Sequence, residues 1–491
     1  LFEKNVKPVF LDKIFIKIKF FFLMILKHIK KIKKFFTRKI IIVGLIVLFL
    51  ASGSFYLFNF ATAHKKIIAL KSLSLVNNFS DFLFIPDDEK KQLDVINTLA
   101  QNFFKKDGQT RNFLILLQNN MELRPGGGFL GQYATLKIKD GEVVSTFFED
   151  ANLLDQKITA KIKPPYPFTR MMQIKKWKFR DSNFSPDFPT NVEKAKYFYR
   201  LAGKKSDFDG VIAVNTNVFN DILALTGPVM VPGYNVTFTS EDGALKLEEF
   251  VEKKYIGNSE IDTQNRKDIM KKMTPIIIEK LFKLGNIPEI SAMVHKEFKN
   301  RNIMVNFSDS ELQKAIESVY WDGKVASGWG SDYLMMVDAN RGALKTDYYM
   351  KRQINYNLDL TGEKPTVTLN ILYKNTALYG DWRTSDYHSY LRIYVPKESK
   401  FLESKMVSFT NEGEETEKKF FGFICHTLIG RETNAIIKYE LPASISMDNY
   451  RLLVQKQSGV ENIPFKVNIK TKEKEFNQEQ MLDNDLSFEF K

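Results

Sequence analysis

The stretch ELRPGGGFLG, Glu122–Gly131, sets Arg124 just ahead of three consecutive glycines. An arginine fork matches phosphate or carboxylate bidentately. Glycines permit positive φ and close backbone approach, and successive exposed N–H groups make an anion-binding nest. Arg124, Gly126, Gly127, Gly128 and Gly131 are therefore a candidate site for a diphosphate or other anion. The competing reading is a tight turn with Arg124 paired to Glu122 or Glu149. Neither nucleotide fingerprint is present: the triplet is not GxGxxG, and no GK[ST] follows it.

Other residues could join that chemistry. In FRDSNFSPDFP (Phe179–Pro189), Asp181 and Asp187 offer oxygen ligands for magnesium or calcium, or else cap local turns. DTQNRKD places Arg266 and Lys267 near a helix start, where positive charge opposes the helix dipole and would suit an anion. A solvated charged face is the alternative there. SDYLMMVDANRG supplies Asp332, Asp338, Asn340 and Arg341. The five histidines, His28, His64, His295, His388 and His426, have no zinc spacing, and the single Cys425 rules out an intrachain disulfide. No Ser–His–acid arrangement can be assembled from the sequence.

Several elements must position these groups. The apolar run Phe113–Leu117 predicts a central strand ending at the glycines. QYATLKIKDGEVVSTFFED predicts two strands around the hairpin signal Asp140–Gly141. In the next segment Val211–Val214 is a buried-type strand, Thr216 or Asn217 caps a helix, and Val229–Val231 begins another strand. That strand–helix–strand order predicts an α/β domain with a mixed sheet. Helices are expected at Ala244–Tyr255, Thr263–Leu284 (with Pro275 as a kink or boundary) and Asp309–Val319. From Asp347 onward short alternating runs such as KPTVTLNILYKNT predict a β-rich, sandwich-like domain. The expected organisation is a helical membrane-proximal linker over 62–108, the α/β domain over 109–346, the β-rich domain over 347–470 and a peripheral polar tail over 471–491.

Charge is concentrated at the N-terminus. Residues 1–39 carry twelve Lys or Arg against Glu3 and Asp12, a net of +10 out of the chain's +14. The remainder is nearly balanced, and no base-reading motif accompanies it, so nucleic acid is not an expected partner. The next 22 residues, 40–61, read IIIVGLIVLFLASGSFYLFNFA without a charge. As a helix they would rise about 33 Å, enough for a bilayer core. Preceded by KHIKKIKKFFTRK, they predict a retained signal anchor with the N-terminus cytoplasmic and the main body outside. Residues 9–26 are either an interfacial element on the inner leaflet, a second poor span or a disordered tail.

The segments LLQNNMELRPGGGFLGQYATLKIKDG, RDSNFSPDFPT, FDGVIAVNTNVFNDILALTGPV, SDYLMMVDAN and YLRIYVP, in this order, resemble the bacterial membrane-anchored family called domain of unknown function 4012. More distantly, the chain resembles the LytR–CpsA–Psr phosphotransferases, which hold a polyprenyl diphosphate and move a glycan onto the cell wall. That resemblance implies catalytic or diphosphate-contacting roles for Arg124, Asp150 and Arg266, with Lys267 beside them. It also implies a possible Mg2+ held through Asp150 with Asp181 or Asp187. The sequence departs from the enzyme pattern: Gly131-Gln132-Tyr133 replaces an Arg-Ser-Asp element, and Glu149-Asp150 replaces an Arg-Asp pair. The expectation is an extracytoplasmic envelope protein in the bacterial cytoplasmic membrane, acting as a scaffold or binding a glycan or lipid-linked glycan. Its expected partners are membrane lipid, a polyprenyl-diphosphate glycan or a cell-wall polymer. The alternative is a phosphotransferase that moves such a glycan to a wall acceptor.

Overall fold

The structure, a computed structural model, describes residues 87–103, 105–252, 268–281, 293, 295–342, 344–446 and 450–490. The expected span at 40–61 and the expected site residues Arg266 and Lys267 lie outside the described residues. Among the described residues no helix is long and apolar enough to cross a membrane.

Helix α1 (Asp87–Phe103) leads into a five-stranded mixed sheet. Its strands are β1 (Thr110–Arg124), β2 (Gly127–Lys139), β3 (Glu142–Asp150), β4 (Gly210–Asn215) and β7 (Ile303–Phe307). Their spatial order is β3-β2-β1-β4-β7. Only β1 and β4 run parallel; the other neighbours are antiparallel. The hairpin between β2 and β3 turns at Asp140 and Gly141, both at positive φ, as the Asp-Gly signal requires.

One face of this sheet is conventionally packed. Leu114 and Leu116 of β1, with Val211 and Ala213 of β4, bury against Phe188, Val192, Ala195 and Phe198. Those last four line one side of the helix Phe188–Leu201 at helical spacing. Asp187 caps this helix, its carboxylate accepting from the Thr190 N–H. The short helices Ala151–Gln156 and Phe168–Met171 precede it, and in chain order the three are α2, α3 and α4.

The other face is covered by α5 (Asn217–Thr226), α6 (Gly243–Val251) and α7 (Asp268–Leu281). Helix α7 runs through Pro275, so that proline is not a boundary. The expected strand at Val229–Val231 is real but does not rejoin the main sheet. Among the described residues Val229–Met230 (β5) pairs only with Thr237–Phe238 (β6), in a ribbon beside α5 to α7. Helix α8 (Ser310–Glu317) is capped by Asp309.

The twelve strands β8 to β19 form a sandwich of two six-stranded sheets. One runs β12 (Lys400–Lys405), β15 (Glu432–Glu440), β10 (Thr366–Asn375), β9 (Met350–Asp359), β17 (Pro464–Lys470) and β18 (Glu475–Met481), and the other β13 (Ser408–Glu415), β14 (Lys418–Thr427), β11 (Tyr387–Val395), β8 (Asp332–Asn340), β16 (Tyr450–Gln455) and β19 (Leu486–Phe490), in those spatial orders. Apolar residues at alternate positions, such as Ile354, Leu369 and Ile437 on one sheet and Leu391, Phe421 and Phe423 on the other, share a single core. Two expected boundaries need correction. The sandwich begins at β8 (Asp332–Asn340), ahead of residue 347, because this strand lies between β11 and β16 with all nine residues buried. The expected tail carries β18 (Glu475–Met481) and β19 (Leu486–Phe490). Leu486, Phe488 and Phe490 enter the core while Ser487 and Glu489 face out.

Candidate functional site

Strand β1 reaches the end of the sheet at Arg124, and β2 restarts at Gly127 as its cross-strand partner. Only Pro125 and Gly126 make the turn. Each glycine of the triplet has a steric reason to be there. A Cβ on Gly126 would lie 2.4 Å from Asn191 Nδ2, and one on Gly128 only 2.2 Å from the Asn119 carbonyl carbon. Gly127 has φ +132°, a region closed to most side chains. Two of their N–H groups are already bonded within the protein: Gly126 N–H donates to the Asn183 carbonyl (3.0 Å), and Gly128 N–H to Gln118 Oε1 (3.3 Å). The expected anion nest at Gly126, Gly127 and Gly128 is therefore corrected to a packed structural turn.

The Arg124 side chain is equally committed. It is 2% exposed. Its Nη2 donates to Glu122 Oε1 at 2.8 Å and its Nε to Asp181 Oδ1 at 3.2 Å. Its Nη1 donates to the carbonyls of Leu123 and Asn340, each at 3.2 Å. Burial alone would lower the guanidinium pKa, but Glu122 and Asp181 outweigh it and hold the group charged. The tight-turn reading, with Arg124 on Glu122, describes the structure better than an open fork waiting for a phosphate.

The turn is also the joint between the two halves of the molecule. Gln457 Nε2 donates to the carbonyls of Arg124 (3.1 Å) and Asp338 (2.8 Å). The Leu123 N–H donates to Asp347 Oδ2 at 3.0 Å, and Asn215 Nδ2 to Ser458 Oγ at 2.9 Å. The sandwich is thus bonded directly to the ends of β1 and β4.

Beside this joint lies a cavity of about 810 Å³ between the unpacked sheet face and the helices α5 to α7. Its floor is Ile115 and Leu117 of β1, Phe148 of β3, Val214 of β4 and Ile303 of β7. All five are only half-buried, whereas Leu114 and Leu116 on the opposite face are fully buried. The roof is Val218, Phe219 and Ile222 of α5, Leu247 and Val251 of α6, and Met270, Met273 and Ile277 of α7. Leaving so many apolar side chains unpacked forfeits roughly 25 cal/mol for every Å² not buried. The size falls within the roughly 300–1,000 Å³ typical of small-molecule sites.

One part of the cavity wall is polar and charged. Glu122, Arg124, Asp150, Arg180, Asp181 and Lys345 all line it, as does Gly131. Asp150 ends β3 and caps α2, accepting from the Asn152 N–H at 2.9 Å. Arg180 forks onto Asp155 and Asn152; burial pushes the Asp155 carboxyl up despite the pull of Arg180. Lys345 Nζ lies 3.9 Å from both Glu122 Oε2 and Glu248 Oε2, with 14% of its side chain exposed.

The structure thus brings Arg124, Asp150, Asp181 and Gly131 to one cavity but not Asp187. Asp187 is committed to the fold: Oδ2 caps α4 and accepts from the Thr190 hydroxyl (2.6 Å), while Oδ1 accepts from the Val325 N–H (3.0 Å). Among the described residues no group of three or more His, Cys, Asp or Glu side chains is placed to hold a metal ion. Of the expected magnesium ligands, Asp150 and Asp181 therefore share the cavity, whereas Asp187 caps α4 away from it. Sequence reasoning missed Arg180 and Lys345. Arg180 sits next to Asp181 in the segment already read for candidate ligands, a usable signal. Lys345 had none, because it follows a strand of the sandwich and meets the cavity only through the tertiary fold.

Among solved structures, Lin1025 protein from Listeria innocua aligns at 14% identity, covering 44% of this chain and 79% of that one, with a TM-score of 0.23. Protein gbs0355 from Streptococcus agalactiae aligns at 13% identity, covering 44% and 75%, with a TM-score of 0.28. No curated protein matches the sequence. A family model matches residues 108–249, the stretch that holds β1 to β4 and α5 and so most of the cavity floor. The model that matches there is the one described as Protein of unknown function (DUF4012).

Proposed function

We propose that the protein is a lipid-binding protein of the cell envelope, holding a long apolar chain in the cavity with a polar head group at the Asp150–Arg180–Lys345 wall. The observation that carries this reading is the cavity itself, with an apolar floor and roof and a charged wall. A lipid-linked glycan has that division, with an apolar tail and a polar head. The uncharged stretch 40–61 and the basic residues before it support anchoring in the cytoplasmic membrane, with the body outside. A phosphotransferase has less support: Arg124 is neutralised by two carboxylates, and Asp187 is committed to capping α4.

Native mass spectrometry of the full chain, purified from its membrane in mild detergent, tests the reading. The expected result is co-purified lipid that is lost in Leu117→Trp, where the larger side chain fills the cavity while the packed face stays intact. A wild-type protein without any lipid adduct would end the proposal.

A further inference from the structure

The end of the sandwich nearest the cavity carries an unusual concentration of exposed apolar side chains. Leu378 is 90% exposed and Tyr379 66%, both on the loop between β10 (Thr366–Asn375) and β11 (Tyr387–Val395). Leu428, 49% exposed, follows β14 (Lys418–Thr427), and Tyr348, 42% exposed, precedes β9 (Met350–Asp359). These three connections are neighbours. The Ile429 N–H donates to Asp386 Oδ1, and Ile429 Cδ1 would meet a Cβ on Gly380 at 3.6 Å. The Thr376 N–H donates to the Tyr349 carbonyl, and the Arg383 guanidinium sits 6.0 Å from the Tyr349 ring.

This end also adjoins the cavity. Tyr348 and Tyr349 lie in the turn just after Lys345, which lines the cavity wall. Arg383 feels the charge of Glu249 on α6, the helix whose Leu247, Glu248 and Val251 line the roof. Solvated loops do not ordinarily hold out a leucine at this exposure beside two exposed tyrosines. Leucine with tyrosine is the composition that settles at a bilayer interface, the tyrosine hydroxyl staying among the head groups.

The exposed basic side chains beside this end suit an anionic partner, although Asp381 pairs with Arg383 and Asp386 lies on the same loop. Lys351 and Lys374 face each other in register across β9 and β10, and both are exposed. Like charges placed directly opposite repel; Glu432 pairs with Lys374 alone at 2.7 Å. Arg431 is exposed on the neighbouring loop. Exposed basic side chains are attracted to an anionic lipid surface within about a Debye length.

We infer that Tyr348, Leu378, Tyr379 and Leu428 form a membrane-docking tip that presses against the anionic lipid bilayer and presents the cavity to it, so that lipid passes between bilayer and cavity without crossing water. The loading role rests on the lipid-binding reading above; the docking itself is measured separately.

The test uses the full chain reconstituted in vesicles of phosphatidylethanolamine and phosphatidylglycerol. Cys425 is buried, so a spin label attaches selectively to Leu378→Cys, or to Glu473→Cys in the exposed turn at the opposite end of the sandwich. Collisions with oxygen report the bilayer, and collisions with a water-soluble nickel chelate report water. The inference expects the label at 378 to favour oxygen and the label at 473 to favour nickel. Equal nickel access at both positions overturns it. If the 378 label enters the bilayer while mass spectrometry finds no bound lipid, docking stands and the cavity reading falls. If lipid is bound while the 378 label stays in water, the reverse holds. Leu378→Asp with Tyr379→Asp should slow lipid uptake from donor vesicles by about tenfold or more, since a single buried apolar side chain is worth at least that factor; an unchanged rate removes the loading role.

Discussion

Arg124 illustrates how one residue type can serve opposite purposes. Its fork is satisfied by Glu122, Asp181 and two carbonyls within the protein. The group contributes to the joint between sheet and sandwich, and its charge is already spent. Arg124→Leu would leave Glu122 and Asp181 buried without their cation. Breaking a buried pair this way costs about 3–5 kcal/mol. The expected outcome is a large drop in the denaturation midpoint measured by circular dichroism. An unchanged midpoint with lost ligand binding would restore Arg124 as a ligand-contacting group. Arg124→Lys should recover only part of the loss, because an ammonium cannot reach both carboxylates and both carbonyls as a planar fork does.

At the scale of elements, β8 shows how polar residues are tolerated in a central strand. Asp332 is fully buried, and its carboxylate accepts from Tyr356 of β9 in the facing sheet (2.5 Å) and from Tyr450 of β16 (Tyr450–Gln455) beside it. The two sheets are therefore tied through one carboxylate. Burial pushes its pKa up to about 6, against the opposing hydrogen bonds from Tyr356, Tyr450 and the Tyr333 N–H. A carboxyl with a raised folded pKa adds stability below its unfolded pKa and loses it as pH rises through the folded one. The contribution is present at about pH 4 and gone above pH 6, a loss on the order of 3 kcal/mol at about 1.4 kcal/mol per pKa unit. Asp332→Asn should flatten that part of the stability profile between pH 4 and 7, as measured by urea unfolding. An identical slope in the variant would assign the titration to another group.

At the scale of the whole molecule, the last strands close the sandwich. β18 pairs with β17 (Pro464–Lys470) and β19 with β16. Leu482, Leu486, Phe488 and Phe490 are all buried. Removing residues 475–490 would lose four such side chains at about 1.5–3 kcal/mol each, comparable to the roughly 5–15 kcal/mol stability of a typical protein. It would also bare the edges of β16 and β17 to pairing with other chains. The truncated chain is expected to accumulate as insoluble material in a fractionation assay. A soluble, cooperatively folding product would mean the strands are peripheral after all.

Local chemistry in the sequence was sufficient for much of this. The Asp140–Gly141 hairpin, the strand before the glycines, the helices at 217–226 and 310–317 and the extended C-terminal pattern follow from turn residues, caps and period-two alternation, which act over a few neighbouring positions. The segments resembling DUF4012 were legible for the same reason. Only the tertiary structure decided what those pieces did together. The run DYLMMVDAN is buried on both faces, so its periodicity could not assign it to a sheet, and LSFEF alternates in a segment whose overall polarity suggested a tail. Asp187 reads equally well as a cap or a ligand until Val325, far along the chain, donates to it. The cavity has no sequence signature, because Leu114 and Leu117 are alike as residues. One meets a helix and the other open space, a difference set by where α5 to α7 come to rest on the sheet.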